Sequence, residues 1–143
     1  MERLSGYKDA LAQHGIAVRD ALIAEGKWSP ASGAAAVSQL LTRGEAFTAL
    51  VASNDDIAIG AIRQLHESGV ATPGAVSVIG FDDVAIAPYI VPSLSSVRIP
   101  VTEMIQETIS RLIFMLDGCE FKPQQTFSGE LILRDSVIDG PHR

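Results

Sequence analysis

The fold of this 143-residue chain is decided by residues 49–62, ALVASNDDIAIGAI, where a short apolar run passes directly into a helical pattern. Phe47 to Ala52 is apolar with β-branched residues, which predicts a buried strand. Asn54 is the predicted N-cap of the next helix, because its side-chain oxygen can accept a hydrogen bond from a free N–H in the first turn. In an open parallel sheet, ligands bind at the carboxyl ends of the strands. We therefore expect Asn54 to lie at a binding edge.

Repeated strand-helix units predict an α/β fold, a Rossmann-like parallel sheet flanked by helices. The predicted helices begin near Arg3, at Pro30 after the N-cap Ser29, after the N-cap Asn54, and after Thr102, which is the predicted N-cap of the last helix. That last helix carries a predicted apolar stripe of Ile105, Ile109, Leu112 and Leu116. The predicted strands are Ala21–Glu25, Phe47–Ala52, Val76–Phe81 and Phe127–Val137. Between Val84 and Pro100, prolines disfavour a helix and indicate extended, linker-like chain. We interpret this segment as a crossover between two lobes.

Composition restricts the class of protein. Hydrophobic residues make up 47% of the chain and charged residues 20%, as in ordinary globular domains. The net charge of -6 argues against direct binding of nucleic acid, which requires a basic surface. The single cysteine, Cys119, excludes an internal disulfide and fits a reducing compartment. Because the apolar runs are short and the first residues lead into an amphipathic helix rather than a signal sequence, we expect a cytoplasmic protein without a membrane partner.

Candidate ligand-binding residues occur just after predicted strands or at the head of the first helix. They are Arg3, Trp28, Asn54 and Asp82. Such a set suits a sugar, since an amide and a carboxylate bind hydroxyls, a guanidinium donates to two oxygens, and an indole covers the apolar face of a pyranose. Each also has a simpler interpretation: a helix cap for Asn54, a packing role for Trp28, a turn for Asp82 with Asp83, and a solvated charge for Arg3. Their shared position favours a joint site.

The residues predict neither a catalytic nor a metal site. His14, His66 and His142 occupy positions that do not form a catalytic triad, and the chain lacks a glycine-rich phosphate loop and a Cys/His cluster. The acidic pairs at 55–56 and 82–83 leave one alternative, a Mg²⁺-dependent phosphoacceptor site, although no lysine follows a later strand to complete it. We expect no enzymatic activity, no cofactor and no bound metal.

The helix after Asn54 carries more apolar surface than one core-facing stripe requires. A second apolar segment lies in the extended region near residue 90. We predict that both belong to an isologous homodimer interface. The predicted interface residues are Ile59, Ile62, His66, Tyr89, Ile90 and Val91. The alternative, that Ile59 packs within its own domain, is equally compatible with the pattern.

Several motifs occur together in a characteristic order: RLSGYKDAL at 3–11, GKWSPASG at 26–33, ALVASNDDIAIGAIRQLHESG at 49–69, VSVIGFDDVAIAPY at 76–89 and LSSVRIP at 94–100. In this order and spacing they resemble the effector-binding core of the LacI/GalR family of bacterial transcription repressors. The later segments TEMIQETISRLIFMLDG and FSGELILRDS are similar to family members that control β-glucoside use.

The resemblance implies a periplasmic-binding-protein-like fold of type I, with a sugar or sugar-phosphate effector between two lobes. Residues 1–90 would form the carboxyl-terminal lobe, 91–118 the crossover and a helix of the amino-terminal lobe, and 119–143 the return strand and tail. The helix-turn-helix headpiece, the first half of the amino-terminal lobe and the strand before Arg3 are expected to be absent from this chain. An incomplete sheet leaves backbone unpaired, so we expect the chain to be poorly stable alone or to rely on a partner.

The resemblance also implies roles for individual residues. Arg3, Trp28, Asn54 and Asp82 match family positions that line the effector pocket, while Ile59 and residues 89–91 match dimer contacts. The expected function is the effector-binding and dimerisation portion of a sugar-responsive repressor, which would reach operator DNA only through the headpiece. A periplasmic sugar-binding component of a transporter shares the fold and is the alternative.

Overall fold

A four-stranded sheet organises the chain in the computed structural model, which describes residues 2–118 and 125–140. The helices are α1 (Glu2–Gln13), α2 (Pro30–Thr42), α3 (Asp55–Glu67) and α4 (Val101–Leu116), with short 3₁₀ turns at Asp20–Leu22 and Ala87–Tyr89. The strands are β1 (Ala49–Val51), β2 (Ser77–Asp82), β3 (Ser95–Arg98) and β4 (Glu130–Ile132). β1, β2 and β3 are mutually parallel, and β4 is antiparallel to β3. The predicted α/β fold with a mainly parallel sheet is confirmed.

The starts of α2 and α3 follow local signals in the sequence. Pro30 occupies the first position of α2, and the Oγ of Ser29 accepts a hydrogen bond from the backbone N–H of Ser32 at 3.3 Å. Asn54 Oδ1 accepts a hydrogen bond from the N–H of Ile57 at 3.0 Å. Both caps satisfy N–H groups that have no partner inside the helix. The two predicted N-caps are therefore confirmed.

The core lies where α3 packs on β2 and α2 packs on α3. Leu65 of α3, Val78 of β2 and Leu94 before β3 are each 0% exposed. Two glycines allow the helices to approach closely. A Cβ on Gly33 would lie 2.1 Å from the carbonyl oxygen of Ile57, and a Cβ on Gly60 would meet the backbone of α2 at a similar distance. Glycine is required at both positions because any side chain would overlap the opposite backbone.

The predicted strand Ala21–Glu25 is wrong. A 3₁₀ turn covers Asp20–Leu22, and the following residues form no strand. The guanidinium of Arg43 donates hydrogen bonds to the carbonyl oxygens of Ala21 and Ile23 at 2.8 and 2.9 Å. A strand requires a neighbouring strand to pair with, and here a side chain takes that place. The local sequence pattern does not reveal that a distant side chain will bind these carbonyl groups in place of a neighbouring strand.

The segment 84–100 is only partly the linker that its prolines predict. Residues 95–98 form β3, which pairs with β2 so that Arg98 lies opposite Asp82 at the end of that strand. The strand was not predicted because its residues are polar, a composition more typical of exposed chain. Ser95 and Ser96 are nevertheless 0% exposed. Their hydroxyls are satisfied inside the protein: Ser95 Oγ donates to the carbonyl of Arg134 at 3.1 Å and Ser96 Oγ donates to a carboxylate at 2.6 Å. Buried serines are tolerated when such bonds are made.

Other boundaries differ from the prediction by a few residues. The strand predicted over 47–52 is limited to β1, and the strand predicted over 127–137 is limited to β4. The prediction that the first of these strands is buried is wrong, because β1 lies at the edge of the described sheet and its Val51 is 62% exposed. Thr102 is not an N-cap, because α4 begins one residue earlier, after Pro100, without a side-chain cap. Cys119, His142, Met1 and the rest of 119–124 and 141–143 lie outside the described residues. Within the described part of the chain, no helix has the length and apolar character needed to cross a bilayer.

Helix α4 differs from the others in its surroundings. The predicted apolar stripe Ile105, Ile109, Leu112 and Leu116 is present, with exposed fractions of 53%, 52%, 55% and 79%. None of the residues of α4 is buried. An apolar stripe of this size facing solvent marks a surface that normally packs on another element.

Candidate functional site

Arg3 brings together two of the other predicted binding residues. Its Nη2 forms an ion pair with Asp82 Oδ1 at 3.1 Å, and its Nη1 donates to the carbonyl oxygen of Ser53. The Cζ of Arg3 lies 5.4 Å from the centre of the Trp28 ring and 3.8 Å from that of Phe81. Both distances fall within the range of cation–π contacts. The head of α1, the segment that leads into α2, the segment after β1 and the end of β2 thus meet around one guanidinium.

Asn54 borders this cluster through its backbone. The residue before it, Ser53, provides the carbonyl oxygen that accepts from Arg3. Asn54 is 5% exposed, and its Oδ1 accepts the capping hydrogen bond of α3. The simpler interpretation of Asn54, helix capping, therefore holds. Its place next to the Arg3 cluster makes it part of the same edge of the sheet.

The end of β2 has unusual backbone geometry. Asp82 has φ of 109° and Asp83 has φ of 53°, values that non-glycine residues rarely adopt. Such conformations cost roughly 1–3 kcal/mol each and persist where surrounding contacts hold them. Here the N–H of Asp83 donates to Ser96 Oγ at 3.1 Å, and the N–H of Val84 donates to Asp55 Oδ2 at 2.8 Å. The turn that carries Asp82 is thus held by α3 and β3.

Asp83 joins the turn to the strands that follow it. Its side chain is 6% exposed and forms ion pairs of 2.7 Å with both Arg98 and Arg134. Burial by itself would raise the pKa of Asp83, but the hydrogen bonds and positive charges of Arg134 and Arg98 outweigh it, and the pKa is lowered. Arg98 also contacts Glu130 of β4 at 3.4 Å. A charged network therefore connects β2, β3 and β4 beside the Arg3 cluster.

Asp55 is a buried carboxylate that the sequence pattern singled out only as a member of the acidic pair at 55–56. It is 0% exposed, and its Oδ1 accepts from Ser96 Oγ at 2.6 Å. Burial raises the pKa of Asp55, although hydrogen bonds from Ser96 and Val84 partly oppose the rise; the nearby charges of Asp82 and Asp83 add to it. Its role depends on partners distant in the chain, which no local motif reveals.

Phe81 is a second residue that sequence analysis missed. It precedes Asp82 on β2, and its ring faces the Arg3 guanidinium at 3.8 Å. An aromatic residue beside a candidate binding carboxylate is a usable signal, since aromatic rings commonly line sugar and cation sites. It was overlooked because Phe81 also fits the apolar pattern of the strand.

The acidic pairs do not gather around a metal site. Among residues 2–118 and 125–140, no group of three or more His, Cys, Asp or Glu side chains is arranged to hold a metal ion. Asp55 accepts from Ser96, Asp82 pairs with Arg3, and Asp83 pairs with arginines. This geometry does not support the phosphoacceptor alternative.

The predicted interface residues fall into groups of different exposure. Ile62 is 6% exposed and belongs to the core of the chain, so it is not part of an exposed face. Ile59 and Ile90 are partly buried and pack against that core, which agrees with the alternative interpretation of Ile59. Tyr89 and Val91 are 78% and 91% exposed, and His66 is also exposed. The predicted interface residues that are exposed are thus His66, Tyr89 and Val91.

Comparison with known proteins connects this geometry to a family. Residues 1–137 match the periplasmic binding protein-like domain family. The chain is 72% identical to the HTH-type transcriptional regulator AscG of Escherichia coli K12, over 96% of this chain and 41% of that protein. The crystal structure of the E. coli transcriptional repressor AscG superimposes with a TM-score of 0.87, covering 96% of this chain and 50% of that one.

Two further structures are similar at lower identity. A complex of the transcriptional regulator CelR with cellobiose is 32% identical, with a TM-score of 0.89, over 94% of this chain and 42% of that one. The Lac repressor dimer bound to operator and the anti-inducer ONPF is 30% identical, with a TM-score of 0.88, over 96% of this chain and 47% of that one. The chain thus spans two fifths to one half of the proteins to which it is similar.

Proposed function

This chain belongs to the periplasmic binding protein-like domain family, and we propose that it forms the effector-binding and dimerisation portion of a LacI/GalR-type, sugar-responsive repressor that controls β-glucoside use. The observation that carries the proposal is the meeting of Arg3, Trp28 and Asp82 at the end of β2. The proteins named above are transcriptional regulators, so the alternative function, a sugar-binding component of a transporter, is not favoured. We infer no catalytic activity and no cofactor for this chain.

The cluster has the chemistry that a sugar requires. The side chains of Arg3 and Asp82 are 34% and 28% exposed, so both can exchange part of their mutual ion pair for hydroxyl groups. Trp28 is 68% exposed and offers an indole face to the apolar side of a pyranose. Asn54 lies beside them. Binding of cellobiose by the similar CelR supports a β-linked glucoside as the effector class.

We place residues 1–90 in the carboxyl-terminal lobe, residues 91–118 in the crossover and a helix of the amino-terminal lobe, and residues 119–143 in the return strand and tail. The exposed apolar stripe of α4 supports this division, since the remainder of an effector domain would cover it. A sugar between the lobes would favour one lobe arrangement and bias operator binding by a headpiece outside this chain. Such a protein acts in the cytoplasm, where operator DNA lies.

Replacement of the binding carboxylate tests this function. In the full-length repressor that contains this chain, Asp82→Ala should weaken binding of cellobiose or methyl β-D-glucoside by about tenfold to a hundredfold, because hydrogen bonds to charged groups contribute about 1.5–3 kcal/mol. Operator binding without sugar should be unchanged. Isothermal titration calorimetry measures the first quantity and fluorescence anisotropy of labelled operator the second.

The control for this test is Asp56→Ala, which removes an exposed carboxylate from the first turn of α3. It should leave sugar affinity within about twofold of wild type, as exposed charges contribute little. Equal sugar affinity in Asp82→Ala and wild type would contradict the proposed site.

We also propose that the exposed surface of His66, Tyr89 and Val91 mediates a homodimer, with Ile59 and Ile90 at its inner edge. Large exposed apolar side chains such as Val91 at 91% mark interaction surfaces, and the similar Lac repressor is a dimer. Val91→Glu should shift the full-length repressor from dimer to monomer in sedimentation velocity at micromolar concentration. Ile16→Glu, which alters an exposed apolar residue after α1, is the matched control. A Val91→Glu protein that remains dimeric would exclude this surface.

A further inference from the structure

We propose that Asp55 is a positioning residue that holds the ligand-binding ends of α3 and β2 at a fixed separation. The inference rests on the proposed function, since it concerns the same binding edge. Asp55 itself is fully buried and is not expected to contact the sugar. Its effect would pass through Asn54, which precedes it, and through Asp82, which lies on the turn that it holds.

The contacts of Asp55 join three elements through one carboxylate. Oδ1 accepts from the hydroxyl of Ser96 on β3 at 2.6 Å, and Oδ2 accepts from the N–H of Val84 at 2.8 Å. The same Ser96 oxygen accepts from the N–H of Asp83 at 3.1 Å. The start of α3, the turn after β2 and the strand β3 are therefore linked by consecutive hydrogen bonds.

The carboxylate also lies directly against the backbone of β2. A Cβ added to Gly80 would be 2.0 Å from Asp55 Oδ1, so only glycine leaves room for it. Two residues later on the same strand, Asp82 adopts its positive φ and pairs with Arg3. The distance between Asn54 and Asp82 is consequently determined by a packed contact on one side and by hydrogen bonds on the other.

Local structure does not explain why a carboxylate occupies this position. Asn54 already caps α3, so the helix does not need Asp55 as a cap. The described partners of Asp55 are neutral donors, and the nearby charges of Asp82 and Asp83 are negative, while Arg98 and Arg134 pair with Asp83. Burial of a carboxylate without a cation is unfavourable and raises its pKa. Residues that reduce stability in this way commonly serve function.

The test is Asp55→Asn in the full-length repressor. Asparagine keeps the size of the side chain but has one acceptor oxygen, whereas Ser96 and Val84 both donate. At pH 7 we expect affinity for cellobiose or methyl β-D-glucoside to fall by at least about tenfold, corresponding to about 1.4 kcal/mol. We expect the midpoint of thermal unfolding without sugar to stay equal or rise. A midpoint that falls while sugar affinity stays equal to that of wild type would show a purely structural role and overturn the proposal.

Matched variants isolate the hydrogen-bond network from charge and volume. Asp56→Asn removes the same charge from the neighbouring exposed residue and should leave both quantities unchanged. Ser96→Ala removes the hydroxyl that bridges Asp55 and Asp83, and should weaken sugar binding as Asp55→Asn does. Ser96→Thr keeps the hydroxyl and should restore most of the affinity. Equal affinity in wild type, Asp55→Asn and Ser96→Ala would overturn the proposal.

A sugar-independent readout separates this inference from the proposed function. Trp28 is the only tryptophan of this chain and lies beside Arg3, which pairs with Asp82. In the full-length repressor, with the Trp28→Phe protein as the fluorescence background, Asp55→Asn and Ser96→Ala should change Trp28 emission and its quenching by acrylamide, while Asp56→Asn should not. If wild type binds neither sugar but the emission changes, the proposed effector fails and the positioning role stands. Unchanged emission in both variants would overturn the positioning role.

Discussion

Helices α3 and α4 carry similar apolar patterns but have opposite environments. Of the 13 residues of α3, Ala58, Ala61 and Leu65 are among those buried against α2 and β2. Of the 16 residues of α4, none is buried, and Leu112 is 55% exposed. The comparison shows that periodicity is enough to predict a helix and its apolar face. It does not say whether the partner of that face belongs to the same stretch of chain.

The two helices differ because the elements that pack against α3 belong to the described chain, whereas no comparable layer of described residues covers α4. Gly33 and Gly60 let α2 approach α3 to within backbone contact, and β2 supplies the next layer. We call α2, α3 and β1–β3 the closed region. The apolar stripe of α4 borders no comparable layer among the described residues. Substitutions should therefore have large effects in the closed region and small ones on α4.

Removing core volume should produce the largest effect. Leu65→Ala in the closed region should lower the free energy of unfolding by about 3–4 kcal/mol, because it removes buried apolar surface and leaves a cavity. Urea unfolding followed by far-UV circular dichroism measures the change. A loss below about 1 kcal/mol would mean that the closed region is loosely packed.

The same substitution on α4 should matter much less. Leu112→Ala in the 143-residue chain should alter the free energy of unfolding by less than about 0.5 kcal/mol, since the side chain is already 55% exposed. In the full-length repressor, where we propose that the stripe is covered, the loss should increase to about 2 kcal/mol or more. Equal effects in the two proteins would show that α4 remains uncovered and would remove support for the proposed lobe division.

A smaller difference should appear with pH, because two carboxylates of the described residues are withdrawn from water: Asp55 in the closed region and Asp83 in the turn after β2. The pKa of Asp55 is raised from 3.8, chiefly by burial. Its contribution to stability is therefore present below 3.8 and lost as pH rises through the folded-state pKa. Relative to Asp55→Asn, wild type should lose unfolding free energy as pH rises above that value.

Asp83 should show the opposite sign. Burial would raise its pKa, but hydrogen bonds and charge from Arg134 and Arg98 lower it below 3.8. Its contribution is therefore present above 3.8 and lost as pH falls through the folded-state pKa. Relative to Asp83→Asn, wild type should lose unfolding free energy as pH falls below that value. Urea titrations of both pairs across this range measure the two slopes, and slopes of equal sign would contradict the assignments.

The fold was predictable where local signals and tertiary structure agree. Ser29 and Asn54 cap the helices that they were predicted to cap, and the run before Asp82 forms the expected strand. Prediction failed where a distant residue provides the partner. The polar strand β3 depends on serine hydroxyls bonded across the sheet, and residues 21–25 form no strand because Arg43 occupies their carbonyls.

Some of the candidate site was visible in the sequence and some was not. Arg3, Trp28 and Asp82 were selected because strand ends converge in a parallel sheet, and they lie together. Phe81 and Asp55 were not selected, since the first fits an apolar strand and the second fits a helix start. Their neighbours in space, Arg3 and Ser96, are far from them in sequence.

By itself, the sequence determined the helices, the caps of α2 and α3, the strand β2 and the polar residues at the strand ends, because each follows from chemistry within a few neighbouring residues. Only the tertiary structure decided that Arg3 reaches Asp82, that Asp55 is buried, and that α3 is covered whereas α4 is not. These outcomes depend on contacts between residues distant in the chain. Hydrogen bonds and packing across such distances carry no local signature.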